Sequence, residues 1–397
     1  MGQDARVTAR TGPLSGTVVV DLTRALAGPH AGMMLGDLGA RVIKVETPGT
    51  GDDTRGWGPP FVGDDGEVST YFLSCNRNKE SVALDLKSDD GVEVLEQLVR
   101  RADVLLENFR TGVLDRLGFG VDRLMELNPR LVLLSITGFG HDGPEGGRPG
   151  YDQIAQGEAG LMSLTGSGPD DPQRVGVPIG DLLAGMWGAY GVLAALLERE
   201  RTGQGQVVRT SLLAGIVGVH AFQGTRWTVA GEVGRAQGNH HPSIAPYGLF
   251  RCRDGAVQIS VGNEALWARC CAGCGLDPAA EGLARNTERV QDRERTVAVV
   301  EEAFREWDAE PLLDRLAELG VPAGKVRALD EVYGWEQTAS QGLLVDVDHA
   351  TLGRITLPGP PLRFFAADGA ETTPRDHTAP PLLDQHGTAV RAWLAGG

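Results

Sequence analysis

The first third of the chain alternates between short β-branched runs and stretches of helical character, and this alternation restricts the possible folds more than any other feature. Thr17–Leu22 is typical of a strand, and Ala27–Gly39 follows it with Pro29 in the first helical turn and Gly39 as the stop. Further strand-like runs lie at Arg41–Glu46, Ser81–Leu86, Ala102–Glu107 and Leu131–Ile136. Strands that alternate with helices at this spacing indicate βαβ units, so we predict an α/β fold with a parallel-sheet, Rossmann-like large domain.

The chain has 397 residues, which exceeds a single ordinary core and favours more than one domain. Its character changes near Gly215, after which the turn Arg253–Gly255 joins two strand-like runs in a predicted hairpin and helical stretches follow. We therefore predict a large domain over residues 1–219, a smaller α+β domain over 220–325, and a C-terminal segment over 326–397 that returns to the large domain.

The charge balance limits the possible partners. Lys and Arg number 37 against 53 Asp and Glu, a net charge of −16 that argues against nucleic acid. No basic segment followed by an apolar one opens the chain, so we expect a cytoplasmic protein. The uncharged run Leu182–Leu197 is short for a membrane span and contains three glycines, so we predict a buried core helix and no membrane partner.

The residues that could bind a metal are few. Cys271 and Cys274 form one CxxC pair, but no second pair accompanies it, and the odd total of five cysteines makes a disulfide framework improbable. His240 and His241 are adjacent in the chain, and side chains at neighbouring positions rarely converge on one metal. We predict reduced thiols, no metal site and no permanently bound cofactor.

A parallel sheet raises the possibility of dinucleotide binding. Glu46 lies at the end of the second predicted strand, where an acid would contact a ribose. However, the turn Leu22–Gly28 lacks the GxGxxG pattern that allows a pyrophosphate to approach the backbone. The chain also contains neither a Walker A lysine motif nor a GxSxG nucleophile elbow, which argues against the corresponding NTPases and hydrolases.

The segment Val175–Asp181 precedes the uncharged helix and places an acid near its start. Asp is a favoured N-cap type, so one interpretation is that Asp181 only caps the helix. The other interpretation is that Asp181 is a functional carboxylate held at the positive end of the helix dipole. The residues of this segment alone leave both interpretations open.

Motifs distributed over most of the chain favour the functional interpretation, because together they resemble the class III CoA-transferases. This CaiB/BaiF-type family includes formyl-CoA, carnitine-CoA and succinyl-CoA dicarboxylate transferases. Each motif is loose alone, but their order and spacing together are specific. The matching segments are Asp21–Pro29, Leu38–Glu46, Gly51–Pro59, Asn76–Lys87, Glu107–Gly118, Asn128–Leu131, Gly150–Asp152, Val175–Asp181 and Arg201–Gln206.

The resemblance implies an interlocked homodimer and a reaction between an acyl-CoA donor and a small carboxylic acid acceptor. It makes Asp181 the nucleophile, which forms a mixed anhydride with the acyl group and then an aspartyl-CoA thioester. An ionised carboxylate needs no base to attack a thioester, and covalent catalysis divides one exchange into easier steps. Backbone N–H groups beyond Asp181 would stabilise the oxyanions.

The same resemblance implies a CoA site in the large domain. Its expected residues are Leu26, Ala27, Leu84, Asp85, Leu86, Lys87, Asn108, Phe109, Arg110, Arg116, Gly138 and Phe139. A lone Lys or Arg is more often a solvated surface charge. Arg110 and Arg116 are favoured because they follow the carboxyl end of a predicted strand, which is the usual ligand edge of a parallel sheet.

Two alternatives and one subfamily question remain. The α-methylacyl-CoA racemases share the fold, but they carry His before the Asp of a Gly-His-Asp segment, where this chain has Tyr151. A non-catalytic acyl-CoA-binding protein is the other alternative. The loop Gly238–Tyr247 resembles that of dicarboxylate transferases that use succinyl-CoA, and Arg24, Arg55 and His241 are candidates to bind a second carboxylate.

Overall fold

The structure is a computed structural model that describes residues 11–396. The strands, numbered in chain order, are β1 (Val18–Asp21), β2 (Arg41–Glu46), β3 (Phe61–Val62), β4 (Val68–Ser69), β5 (Lys79–Ala83), β6 (Val104–Glu107), β7 (Val132–Thr137), β8 (Val207–Ser211), β9 (Tyr247–Cys252), β10 (Gly255–Ser260), β11 (Ala323–Gly324), β12 (Leu344–His349) and β13 (Gly353–Pro358).

The helices are α1 (Ala27–Asp37), α2 (Thr70–Cys75), α3 (Asp89–Arg101), α4 (Val113–Arg116), α5 (Val121–Leu127), α6 (Asp152–Glu158), α7 (Leu161–Leu164), α8 (Ile179–Thr202), α9 (Leu212–Val217), α10 (Ala221–Ala230), α11 (Glu264–Cys274), α12 (Asn286–Gln291), α13 (Arg293–Phe304), α14 (Ala309–Glu318), α15 (Leu329–Tyr333), α16 (Glu336–Ser340) and α17 (Gly387–Ala395).

Contacts between residues divide the chain into two compact units. The first contains the residues up to Leu161, Val175–Ala230 and the residues from Glu336 onward, and the second contains Met162–Arg174 and Gly231–Trp335. The first unit is therefore assembled from three separate stretches of the chain.

A six-stranded sheet organises the first unit, in the order β5-β2-β1-β6-β7-β8 with every neighbouring pair parallel. The predicted α/β class with a large parallel sheet is therefore confirmed. The strand β2 has the predicted bounds, whereas β5 begins at Lys79, two residues before the predicted start. The sequence analysis missed β8, because this edge strand contains Arg209 and Thr210 and does not read as an apolar run.

Helices cover both faces of this sheet. On one face, α1, α8 and α9 pack against buried residues such as Val19 and Leu134. On the other face, α3 and α17 cover sheet residues such as Leu105, and Leu98 of α3 and Leu105 are both fully buried. Because both faces are covered, the carboxyl edge of the sheet is where a ligand can approach the strand ends.

The long helix α8 packs closely because of its glycines. A Cβ atom at Gly185 would lie 2.5 Å from the carbonyl oxygen of Ala27, and one at Gly188 would lie 2.8 Å from Leu134. The helix ends at Gly203, which adopts a φ of +75° as a left-handed C-cap. This close contact joins the helix that carries Asp181 to the start of α1 at Ala27.

Only one face of α8 is buried, so the prediction that α8 is a buried core helix is wrong for its other face. Large apolar side chains stand on that face, with Tyr190 66% and Leu197 75% exposed. In residues 11–396, α8 is the one helix long and apolar enough to cross a membrane by length and composition. Core helices of soluble proteins meet the same criterion, so this finding is weak evidence for a membrane.

The second unit contains the antiparallel sheet β11-β10-β9, with α11, α13 and α14 contributing to one apolar core. Trp267, Phe250 and Phe304 are its large buried side chains. Cys270 and Cys271 are buried in the same core, and all five cysteines of the described chain are unpaired. Burial raises the pKa of Cys271 to about 12, so this thiol is protonated at neutral pH.

Candidate active site

Asp181 is the third residue of α8, inside the first turn of that helix. The N-cap residue is Pro178, whose side chain makes no capping hydrogen bond. The interpretation of Asp181 as an N-cap is therefore wrong. Its carboxylate lies at the positive end of the helix dipole and does not cap the helix.

A different acid satisfies the backbone of this first turn. The N–H of Gly180 donates to Oδ1 of Asp152, 2.7 Å away, and Asp152 is the first residue of α6. The other carboxylate oxygen of Asp152 accepts from Nε2 of Gln156 at 2.7 Å. In turn, Oε1 of Gln156 accepts the N–H of Val175 at 2.9 Å. The sequence analysis noted Asp152 only within a motif, because a bond across 28 residues leaves no local signal.

The surroundings of Asp181 perturb its protonation. Burial, followed by the negative charge of Asp152, raises the pKa of Asp181 to about 7. Near neutral pH this carboxyl group is therefore divided between its ionised and protonated forms. A carboxyl group whose pKa is raised by burial and by a nearby charge is typical of functional sites.

The apolar side of this site connects Asp181 to the turn after β1. Leu182, the neighbour of Asp181, packs with Tyr71 against the buried cluster of Leu26, Met33 and Cys75. Burial, together with the charge of Asp181, raises the pKa of Tyr71 to about 12. The first predicted CoA contact, Leu26, thus belongs to the same cluster as the residue next to Asp181.

The turn between β1 and α1 is held in a constrained conformation. Ala25 adopts a φ of +64°, a value that costs an L-residue roughly 1–2 kcal/mol. The side chain of Asn108 makes two hydrogen bonds to the backbone of Arg24, the residue before Ala25. Its Oδ1 accepts the N–H of Arg24 at 2.9 Å, and its Nδ2 donates to the Arg24 carbonyl at 2.8 Å. Oδ1 of Asp52 accepts the N–H of Ala25 at 3.2 Å.

Buried ion pairs support this turn from below. Lys79 pairs with Asp21 at 2.9 Å and Lys44 pairs with Asp52 at 2.8 Å, and all four side chains are fully buried. Lys44 also donates to the carbonyl of Thr23 at 2.8 Å. Burial alone would lower the pKa of Lys44, but the carboxylates of Asp21 and Asp52 raise it above its ordinary value. The sequence analysis missed these lysines, because a lysine in a strand is normally solvated.

The remaining predicted CoA residues lie at the carboxyl edge of the sheet. Lys87, Arg110 and Arg116 are exposed, and within residues 11–396 none of the three is paired with a carboxylate. Leu84 is buried beside Asp85, whose side chain accepts the N–H of Lys87 at 3.0 Å, and Leu86 packs against the apolar core. The cations at this edge are therefore available to an anionic ligand.

The loop after β7 brings Gly138 and Phe139 close to α6. A Cβ atom at Gly138 would lie 2.8 Å from Gly150, and the guanidinium of Arg148 lies 4.6 Å from the Phe139 ring centroid. Because Gly150 stands two residues before Asp152, this packing places the loop with the two predicted CoA residues Gly138 and Phe139 beside the helix that contacts Gly180. Tyr151, which stands where the racemases carry His, is 68% exposed.

A polar cavity opens at the ends of β6 and β7. It measures about 120 Å³ and includes Phe109 and Arg110 in its lining. Ser135 is hydrogen-bonded to Glu107 and to Nε2 of His141, the latter at 2.5 Å. Burial raises the pKa of Glu107 to about 7. The Glu107–Ser135–His141 cluster was not predicted, because Glu107 lies 28 residues before Ser135 in the chain and local spacing does not bring them together.

The described part of the chain holds no group of three or more His, Cys, Asp or Glu side chains arranged to bind a metal ion. Two of the three candidates for a second substrate carboxylate have other contacts. Arg55 forms a bidentate pair with Glu46 and lies 3.7 Å from the Phe72 ring centroid. His241 accepts the N–H of Ser243 at 3.1 Å, within the second unit.

Comparison with known proteins gives a consistent match over most of the chain. A family model described as CoA-transferase family III matches residues 14–387. Human succinyl-CoA:glutarate CoA-transferase is 38% identical over 380 residues, which cover 95% of this chain and 85% of that protein. Acetyl-CoA:oxalate CoA-transferase of Acetobacter aceti is 37% identical over 387 residues, which cover 97% of this chain and 96% of that protein.

A solved structure agrees with these relatives. The crystal structure of a CaiB/BaiF family protein from Brucella suis superimposes with a TM-score of 0.85 at 39% sequence identity. The match covers 97% of this chain and 100% of that one.

Proposed function

The chain belongs to CoA-transferase family III, and from this premise we propose that Asp181 carries the acyl group during transfer of CoA from an acyl-CoA to a free carboxylic acid. One observation carries the proposal. Asp181 is a half-buried carboxyl group with a raised pKa, it has no capping role, and it adjoins the cluster that includes the predicted CoA contact Leu26.

The proposed reaction conserves the carboxylate of Asp181. An ionised oxygen of Asp181 attacks the thioester carbonyl and the carbon–sulfur bond breaks. The CoA thiolate departs, and a mixed anhydride between Asp181 and the acyl group remains. The thiolate then attacks the Asp181 carbonyl carbon, which releases the donor acid and leaves an aspartyl-CoA thioester. The acceptor carboxylate attacks this thioester, and the returning thiolate attacks the acceptor carbonyl of the second anhydride. The new acyl-CoA departs and Asp181 is regenerated.

The helix start contributes less to oxyanion stabilisation than the sequence analysis expected. The N–H of Gly180 donates to Asp152, and the N–H of Leu182 donates to the carbonyl of Pro178 at 3.0 Å. The positive end of the dipole of α8 still favours negative charge beside Asp181. Phe139 and Gly138, on the loop that packs on Gly150, are the proposed neighbours of the thioester.

The proposed CoA site follows the carboxyl edge of the sheet. Leu26 and Ala27 line it through the constrained turn, and Asn108 acts mainly by holding Arg24 in place. The exposed cations Lys87, Arg110 and Arg116 provide the positive charge that the phosphates of CoA require.

We propose succinyl-CoA as donor and a dicarboxylic acid as acceptor. The names of several relatives include succinyl-CoA with glutarate or mesaconate. Of the three candidates for the distal carboxylate, Arg24 is the one that remains exposed, in contact with the Thr47 hydroxyl at 3.3 Å and 5.7 Å from the Phe109 ring centroid. Arg24→Gln should therefore raise KM for dicarboxylate acceptors more than for monocarboxylate acceptors.

We also propose that two copies of the chain form a homodimer through the exposed face of α8. Trp187, Tyr190 and Leu197 stand there, and Phe222 and Trp227 of α10 add further exposed apolar surface. The rings of Trp187 and Tyr190 are in contact, with centroids 6.1 Å apart, and exposed apolar patches mark interaction sites. Light scattering should give twice the chain mass, and Tyr190→Asp should lower it. A monomeric wild type with full activity would refute the dimer.

The experiment that tests the reaction compares wild type with Asp181→Asn, which removes the charge at nearly constant size. Each protein is incubated with a panel of acyl-CoAs and free acids, and new CoA esters are followed by mass spectrometry. Wild type given acyl-CoA without acceptor should yield a hydroxamate on the peptide of Asp181 after hydroxylamine treatment. The Asn variant should fold and bind CoA but lose transfer by several orders of magnitude.

The same experiment addresses the two alternatives. The racemase alternative predicts uptake of deuterium from solvent at the α-carbon of a 2-methylacyl-CoA, and the non-catalytic alternative predicts CoA binding without exchange. A fully active Asp181→Asn protein without a trapped adduct would refute the proposed mechanism.

A further inference from the structure

We propose that Asp152 is a positioning residue for the acyl-carrying Asp181: it fixes the first turn of α8 through Gly180, and its charge makes the Asp181 carboxylate a stronger nucleophile. The proposal rests on the proposed function of Asp181. It assigns a role in the transfer to a residue that lies on a different helix from the reacting carboxylate.

The first part of the role is geometric. Asp152 is 9% exposed, and its Oδ1 accepts the N–H of Gly180 at 2.7 Å. A Cβ atom at position 180 would lie 3.1 Å from the same oxygen, so glycine allows this close approach. Since Pro178 cannot cap its own helix, the carboxylate of α6 provides the cap from outside. The backbone immediately before Asp181 is therefore set by Asp152.

The second oxygen of Asp152 extends this support. It accepts from Gln156, which is fully buried and accepts the N–H of Val175 in the segment that leads into α8. Both oxygens of Asp152 thus accept from donors, which is the arrangement of an ionised carboxylate. Asp152, Gln156 and Val175 form one chain of bonds that fixes the entry to α8.

The second part of the role is electrostatic. From the elements packed around Asp181, the titratable groups are Asp152 on α6, Tyr71 and Cys75 on α2 and His30 on α1, while α9 packs with apolar residues. Burial raises the pKa of Tyr71 to about 12 and that of Cys75 to about 11, and it lowers the pKa of His30 to about 4, so these three are neutral near pH 7. Asp152 is therefore the charge that opposes ionisation of Asp181.

This opposition favours the transfer. Two like charges held close together raise each other's free energy, and the carboxylate that results is more basic. Acylation of Asp181 removes one of the two charges, so the repulsion present in the free enzyme is released as the anhydride forms. The repulsion returns only when the carboxylate is regenerated, after the product has formed.

Two variants separate position from charge. Asp152→Asn removes the charge and also places an amide N–H₂ against the donating amide of Gln156. The double variant Asp152→Asn/Gln156→Glu restores a matched pair, because the new amide donates to a carboxylate that also accepts the N–H of Val175. The negative charge is kept but moves one side chain farther from Asp181.

The readout is the pH dependence of adduct formation at Asp181 in a single turnover with acyl-CoA and no acceptor. We expect the wild-type rate to rise through a midpoint near the pKa of Asp181, about 7. Both variants should shift this midpoint to lower pH by about one unit or more. At high pH, the single variant should also lose about 10- to 100-fold in rate through misplacement, and the double variant should lose less.

An unchanged midpoint in both folded variants, with Asp181→Asn inactive, would overturn the role of Asp152 while leaving the proposed function intact. Adduct formation that persists in Asp181→Asn would instead overturn the proposed function and this inference together. If neither Asp152 variant folds, infrared titration of the Asp152 carboxyl group in wild type and in Asp181→Asn still decides, because repulsion acts equally on both groups. The titration midpoint of Asp152 should be lower in Asp181→Asn than in wild type, and an unchanged midpoint refutes the repulsion.

Discussion

The hydrogen bonds of Asn108 to the backbone of Arg24 give the sharpest test of what fixes the conformation of the proposed CoA site. Asn108→Ala removes two hydrogen bonds to the backbone of Arg24, next to the constrained residue Ala25. At about 0.5–1.5 kcal/mol for each neutral bond, the loss is about 1–3 kcal/mol. If the turn opens locally, CoA affinity falls by the same free energy at most, which is a factor of up to about 100.

A matched control lies at the opposite edge of the same sheet. Nδ2 of Asn128 donates to the carbonyls of Val99 and Ala102, at 3.0 and 2.7 Å, and its Oδ1 accepts the N–H of Arg130 at 3.0 Å. Asn128→Ala should lose at least as much stability in thermal unfolding and keep its affinity for CoA in titration calorimetry. The reasoning fails if Asn108→Ala binds CoA like wild type, or if both variants lose affinity equally.

Three further predictions follow from features of the same unit. Ala25→Gly should stabilise the protein by about 1 kcal/mol in chemical denaturation, since glycine adopts a φ of +64° without strain, and a less stable variant would contradict this. Asp181→Asn should raise the free energy of unfolding by a few kcal/mol above about pH 7 and by little near pH 4. The pKa of Asp181 is higher in the folded protein than in the unfolded chain, so ionisation of the wild-type carboxyl group opposes folding. Equal effects at both pH values would contradict this. Removal of metal ions with a chelator should leave transfer activity unchanged, and an activity restored by added metal would contradict this.

The sequence predicted the parts of the fold that depend on local pattern. β2 and the end of α1 before Gly39 were placed correctly, because a β-branched run and a glycine stop are local signals. β8 escaped the prediction because its polar residues at the sheet edge lack that pattern. The end of a helix could be read from its residues, whereas the edge of a sheet depends on its neighbours.

The candidate site divides in the same way. Asp181 and the exposed cations were predicted through motifs, but the N-cap interpretation failed because the preference of Asp for caps ignores the position of Pro178. Asp152 and the buried Lys44 and Lys79 act through partners that are distant in the chain or deep in the core. Their roles follow from tertiary geometry, which no spacing rule contains.

The return of the C-terminal segment to the first unit has a consequence for biosynthesis. The side chain of Asp384 accepts the N–H of Ala83 at 2.8 Å, and Arg101 donates to the carbonyl of Trp393 at 2.7 Å. During vectorial translation, β5 and α3 therefore leave the ribosome about 300 residues before the residues that cover them. The nascent chain must keep this flank of the sheet open while most of the second unit is made, which exposes the edge strand β5 to other chains. A stall or premature stop before Asp384 would leave that strand uncovered, so quality control of this protein should depend on the segment from Asp384 to Leu394.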